Sequence, residues 1–289
     1  RRPMNGPVDG SGVPPQDTPD APVLCSNIMA GRRGLVLGVA NDHSIAWGIA
    51  RTLSQHGADI AFTYQNDAIA KRVTPLAASL GSTLVLPCEV EDQASIDSVF
   101  QRLKAEWGGL DFVVHAVAYS DKDELKGKYL NTSRDNFLRT MDVSCYSFTA
   151  LARAAADMMG EGGSLITLTY TGSTRVMPNY NVMGVAKAAL EASVRYLAAN
   201  LGPQGIRVNA ISAGPMRTLA GSAIGGARHV YKWNQRHAPL KRTVRLEDVG
   251  GAALYLLSDL SAGVTGEVHH VDSGYNIIGL PNPEDMVDD

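Results

Sequence analysis

The sequence predicts an α/β fold, a single domain built on one doubly wound parallel sheet of about seven strands with helices on both faces. Three observations carry that reading. From Gly31 onward, short β-branched runs alternate with helix-length stretches. The runs are almost continuously apolar, as strands buried on both faces are. The stretches between them are long enough for the crossover helices that parallel strands need.

The first strand is expected over 33–39 (RGLVLGV), running into a glycine loop and a helix. The second, 58–64 (ADIAFTY), ends in FTYQND, and the third is the short run 83–87 (TLVLP). The fourth, 110–116 (LDFVVHA), has Val117 just past its end, and the fifth, 164–170 (SLITLTY), finishes on Tyr170. The sixth, 206–212 (IRVNAIS), leads into the least regular part of the inner chain, and the seventh is 267–272 (EVHHVD). No fixed-period repeat and no second domain is visible.

Composition narrows the function. In 289 residues, 26 Lys and Arg stand against 29 Asp and Glu, a net charge of −3. That balance gives no reason to expect a nucleic-acid binder. The three cysteines, Cys25, Cys88 and Cys145, are widely spaced and odd in number. They suit neither a disulfide framework nor a metal site, so a reducing, cytoplasmic location is expected. No apolar run approaches the ~20 residues of a membrane span. Residues 1–28 hold six of the 14 prolines and read as a disordered tail ahead of a domain at 29–289, with Met29 a candidate natural start. The Arg1-Arg2 opening lacks the apolar stretch of a secretory signal.

A strand, a glycine, a small-residue loop and a helix together form a phosphate cradle, because helix N-terminal N–H groups face an anion and glycine admits close approach. GVANDHSIAWGIA supplies these parts in a Rossmann-like position but without the usual G-x-G-x-x-G. By itself the pattern also suits a purely structural turn. At the tip of the second strand stand Gln65, Asn66 and Asp67, with Lys71 and Arg72 only further on. Without a base at the tip to hold a 2′-phosphate, NADH is expected over NADPH.

Two tyrosines stand ten positions apart in YTGSTRVMPNYNVMGVAK, residues 170–187. Tyr180 and Lys187 are seven residues apart. In a helix this separation falls roughly 20° short of two turns, so both side chains share a face. Tyr64 and Lys71 have the same spacing, so spacing alone does not separate a catalytic pair from core packing. Position after the fifth strand, at the carboxyl edge where a dinucleotide lies, favours catalysis.

YTGSTRVMPNYNVMGVAKAALEASVRYLA, with GIRVNAISAGPMRTLA and LKRTVRLEDVG…LSDLSAGVTGEVHHVDSGY, resembles the bacterial NADH-dependent enoyl-acyl-carrier-protein reductases of type II fatty-acid synthesis, within the short-chain dehydrogenase/reductase superfamily. The likeness covers about residues 31–280. It implies reduction of the trans-2 double bond of enoyl thioesters on acyl carrier protein, the last step of the elongation cycle, by a homotetramer. Tyr180 then supports the developing enolate, Lys187 bonds the nicotinamide ribose, and Tyr170 is the second active-site tyrosine. Also by resemblance, Gly38, Ala40, Ser44 and Ile45 hold the pyrophosphate and Gln65 lies on the adenosine side. Glu89 and Val90 flank the adenine, Val117, Met216 and Thr218 surround the nicotinamide, and Ser120 lies near the substrate. Ala118 stands where the family usually has glycine, which implies weaker inhibition by diphenyl ethers such as triclosan. The rivals are another short-chain oxidoreductase acting on a carbonyl, which the missing Tyr-x-x-x-Lys opposes, and a non-catalytic NADH-binding paralogue, which retention of all three residues opposes.

Residues 214–245 read as a substrate lid, glycine-rich at Gly221, Gly225 and Gly226. The stretch also holds seven cations (Arg217, Arg228, Lys232, Arg236, Lys241, Arg242 and Arg245) and no acid, a surface suited to an acidic carrier protein.

Overall fold

The computed structural model describes residues 26–218, 226–282 and 284. Residues 1–25 of the expected tail at 1–28, and Gly221 and Gly225 of the lid, lie outside the described residues.

The expected sheet is present. Its strands are β1 (Arg33–Leu37), β2 (Asp59–Tyr64), β3 (Val85–Pro87), β4 (Phe112–His115), β5 (Gly163–Thr169), β6 (Ile206–Ala213) and β7 (Val268–Val271). They pair in the order β3-β2-β1-β4-β5-β6-β7, and every pairing is parallel. The order reverses between β1 and β4, and a crevice opens at such a point beyond the carboxyl ends of the strands.

Helices α1 (Ile45–Gln55), α2 (Asp67–Ser79), α3 (Gln93–Trp107), α4 (Arg134–Met141), α5 (Ser147–Ala156), α6 (Asn181–Leu201), α7 (Ala227–His237) and α8 (Leu246–Leu257) surround it. Successive strand residues point to opposite faces, which divides the core in two. Leu35, Leu37, Val113, Leu165 and Val208 pack with α3, α5 and α6 through Ile96, Phe148, Leu151, Leu190 and Val194. Val36, Phe62, Val114, Ile166 and Ile211 pack with α1, α2 and α8 through Ile49, Leu53, Val73, Val249 and Leu256. Both faces being covered is why the strands read as apolar runs. No described helix is long and apolar enough to cross a membrane.

Candidate active site

The glycine loop closes β1 against β4. Gly38 has φ +98°, and a Cβ on it would lie 2.1 Å from the Ala116 carbonyl oxygen, so only glycine fits this approach. The loop then folds around Ser44, whose Oγ accepts from the backbone N–H groups of Ala40 (3.0 Å) and Asn41 (3.1 Å). Ser44 is the N-cap of α1, yet its side chain makes no cap bond and the first turn carries no acid. The positive end of α1, beginning at Ile45, therefore faces the loop without a compensating carboxylate from that turn.

At the far end of the crevice, Gln65 Nε2 donates to Glu89 Oε2 at 3.0 Å, joining the exits of β2 and β3. Val90 and Val117 are partly buried against the core. Met216 packs on the opposite core face. With His43, Arg217, Val244, Arg245 and Leu246, Met216 lines a cleft of about 130 Å³ between the glycine loop and the start of the lid. Thr218 donates its N–H to the Met216 carbonyl at 2.9 Å.

The tyrosines meet at the carboxyl end of β5. Tyr180 immediately precedes α6, between Asn179 at φ +57° and Asn181 at φ +39°. Asparagine tolerates this left-handed backbone better than most residues, and strain of this kind persists only where the surroundings enforce it. Asn181 Nδ2 is held by the Leu125 carbonyl at 3.0 Å, which fixes the turn from outside. The Tyr170 and Tyr180 rings meet edge to face with centroids 5.2 Å apart. Two glycines make the approach tight enough. A Cβ on Gly172 would lie 2.4 Å from the Tyr180 ring, and one on Gly184 would lie 2.6 Å from the Gly172 carbonyl oxygen.

Neither phenol is ordinary. Burial, then Tyr170 and Glu191, push Tyr180 well above the usual tyrosine range, and burial with Tyr275 raises Tyr170 to about 12. Both stay protonated donors across neutral pH. Lys187, also buried, donates from Nζ to the Leu168 carbonyl at 2.8 Å. Burial lowers it to about 8, against the raising influence of Cys145 and Glu191.

Several residues that hold the site were not apparent from sequence. His115, at the end of β4, is fully buried and bonded on both ring nitrogens, to Thr167 Oγ1 and Ser147 Oγ at 2.8 Å each. Ser147 gives its own proton to the Val143 carbonyl, so it accepts from Nε2–H, and Nδ1 accepts from Thr167. This chain braces a π-helical turn at Asp142–Tyr146, a form often found at functional sites. From that turn Ser144 Oγ binds both the N–H and the carbonyl of Tyr119. Asn136 receives the N–H of Asp121 at 2.9 Å and exchanges contacts with Ser120, which orders the loop carrying the expected substrate residue. The one legible signal was a histidine inside an apolar strand.

The basic stretch needs a correction. It contains no acid, but Asp248, just beyond it on α8, pairs with both Arg242 and Arg245. The Arg217 guanidinium lies over the Tyr231 ring at 4.7 Å. What α7 presents outward is Arg228, Lys232 and Arg236, at four-residue spacing and all exposed.

Known proteins resemble this chain over most of its length. The family model described as "Enoyl-(Acyl carrier protein) reductase" matches residues 38–276. Enoyl-[acyl-carrier-protein] reductase [NADH] 2 of Rhizobium meliloti (strain 1021) is 64% identical over 259 residues, covering 90% of this chain and 97% of that protein. Among solved structures, FabI from Candidatus Liberibacter asiaticus superposes with a TM-score of 0.88 at 59% identity, covering 89% of this chain and 100% of that one. The enoyl-(acyl-carrier-protein) reductase of Anaplasma phagocytophilum, solved in complex with NAD, gives 0.86 at 57%, covering 89% and 98%. This chain belongs to the enoyl-(acyl carrier protein) reductase family.

Proposed function

We propose that the chain uses NADH to reduce the trans-2 double bond of enoyl thioesters on acyl carrier protein, with Tyr180, Lys187 and Tyr170 at the reacting centre. The observation that carries this is the edge-to-face tyrosine pair beside buried Lys187, at the carboxyl edge of the sheet. The dinucleotide fits the residues present: a glycine loop that Gly38 lets lie close against β4, an α1 terminus with no acid in its first turn, and a β2 exit without a base. Gly38, Ala40, Ser44 and Ile45 take its pyrophosphate, and Gln65, Glu89 and Val90 its adenosine side. Val117, Met216, Thr218 and Lys187 take its nicotinamide end. When bound, it supplies hydride to the β-carbon.

The protein supplies charge control. Tyr180 aims a protonated hydroxyl at the thioester oxygen where negative charge grows, an interaction stronger in the transition state than before it. Lys187 anchors the ribose while its stem stays buried. Tyr170 packs on the Tyr180 ring, limits its tilt and excludes water from the acyl side, and Ser120 borders the thioester from the opposite loop.

The exposed α7 face suits an acidic carrier protein. Exposed Leu138, Tyr146, Val185 and Tyr196 along α4, the π turn and α6 suit burial between copies, in line with a homotetramer. The test is NADH oxidation with a crotonyl thioester. Wild-type turnover, with loss in Tyr180→Phe and Lys187→Met at unchanged unfolding midpoints, is expected. A wild-type protein that binds NADH but leaves enoyl thioesters untouched would overturn the assignment.

A further inference from the structure

Glu191 lies one turn beyond Lys187 on the same face of α6, and only 8% of it is exposed. Around it, Leu168, Thr169 and Tyr170, three consecutive residues at the end of β5, are each held by a different group. The Leu168 carbonyl accepts from Lys187 Nζ at 2.8 Å. Thr169 Oγ1 donates to Glu191 Oε1 at 2.6 Å. Tyr170 packs its ring against Tyr180.

A carboxylate kept beside Leu190 and Val194 carries a desolvation cost that a neutral side chain would avoid. As a bare acceptor for Thr169, glutamine would serve equally well. What glutamine lacks is charge. Resting on the reductase reading above, we propose that Glu191 is a positioning residue for the reaction: through Thr169 it fixes where β5 delivers Tyr170, and from one turn beyond Lys187 on the same buried face of α6 it sets a negative charge near that lysine.

The titratable groups around Lys187 are consistent with that division. Cys145 faces it from the π turn and Glu191 from its own helix, and both favour its charged form. His115 on β4 feels the lysine's charge and stays neutral. Tyr180 feels Glu191 and is held protonated. One carboxylate therefore acts on both members of the Tyr180–Lys187 pair, favouring phenol on one and ammonium on the other.

The test compares Glu191→Gln, which keeps the acceptor and drops the charge, with Glu191→Asp, which keeps the charge on a shorter arm. NADH affinity, read by cofactor fluorescence, and kcat/KM for crotonyl thioester are followed from pH 6 to 10. For Glu191→Gln the alkaline limb of both profiles moves down by about one pH unit, with roughly fivefold loss at pH 8 that approaches about tenfold at pH 10. Glu191→Asp lowers kcat but leaves the limb in place. A limb unmoved in Glu191→Gln, or moved alike in both variants, overturns the proposal. If Glu191→Gln does not fold, Thr169→Val decides: a several-fold lower kcat at an unchanged unfolding midpoint supports the positioning role, and wild-type kcat overturns it. The fluorescence profile stands apart from turnover, so failure of the reductase reading itself appears as absent wild-type reduction with the NADH limb still measurable.

Discussion

Tyr170 and Tyr180 meet at an interplanar angle of 72°, so the edge of one phenol packs on the face of the other. Such a contact contributes about 0.5–1.5 kcal/mol beyond the area it buries, and it depends on the rings and not the hydroxyls. The two Phe variants should therefore separate. On the proposed assignment of Tyr180 as enolate donor, Tyr180→Phe lowers kcat ~10²–10³-fold. Tyr170→Phe keeps the ring contact and loses at most ~10-fold, the range of one to two ordinary hydrogen bonds. Steady-state kinetics on both variants checks this, and equal losses would give Tyr170 a direct role at the thioester oxygen.

His115 gives a pH signature. Burial, with the Lys187 charge nearby, lowers it to about 3 from an ordinary 6.5. The unfolded chain thus binds a proton between pH 6.5 and 3 that the folded protein does not, and stability falls as pH falls through that window. The slope from this one group approaches ~1.4 kcal/mol per pH unit. Urea unfolding between pH 5 and 7 should show it in the wild type. His115→Gln, less stable at pH 7, should lack that part of the slope, and parallel slopes would refute a buried neutral imidazole.

Gly38→Ala tests the cradle. The added methyl meets the Ala116 carbonyl and faces a left-handed backbone that costs an alanine about 1–2 kcal/mol. NADH affinity should drop by at least ~10-fold, the equivalent of about 1.4 kcal/mol. Fluorescence titration measures it, and wild-type affinity in the folded variant would remove the loop from the cofactor site.

Much of this was legible beforehand. Parallel strands buried on both faces carry their identity in composition, so each was located to within a few residues, and Tyr170, Tyr180 and Lys187 were visible as residue types in position. What was hidden lies in pairings between distant segments. Asp248 pairs with Arg242 and Arg245 from outside the stretch in which the charges were counted. The left-handed turn at Asn181 depends on a carbonyl at Leu125, 56 residues earlier. Glu191 reads as an ordinary helical charge until Thr169 is seen beside it.

The corrected charge surface sharpens the carrier-protein test. Replacing Arg228, Lys232 and Arg236 together with Gln should raise KM for a carrier-linked substrate about tenfold at low salt and leave a coenzyme A thioester unaffected. Removing Arg242 instead should mainly cost stability, because it leaves Asp248 with one partner fewer. Kinetics with both substrates at two ionic strengths separates docking from general damage.

Gly172 and Gly184 have a consequence of a different kind. Neither has a side chain that could bond, titrate or react, yet one extra methyl at either place would force the β5–α6 loop away from its helix and part the tyrosines. A saturation library scored for growth that depends on the enzyme's activity should therefore show its sharpest intolerance at these two silent positions as well as at the reactive ones. Part of this enzyme's chemical competence is encoded as vacancy, in sites a search for functional groups passes over.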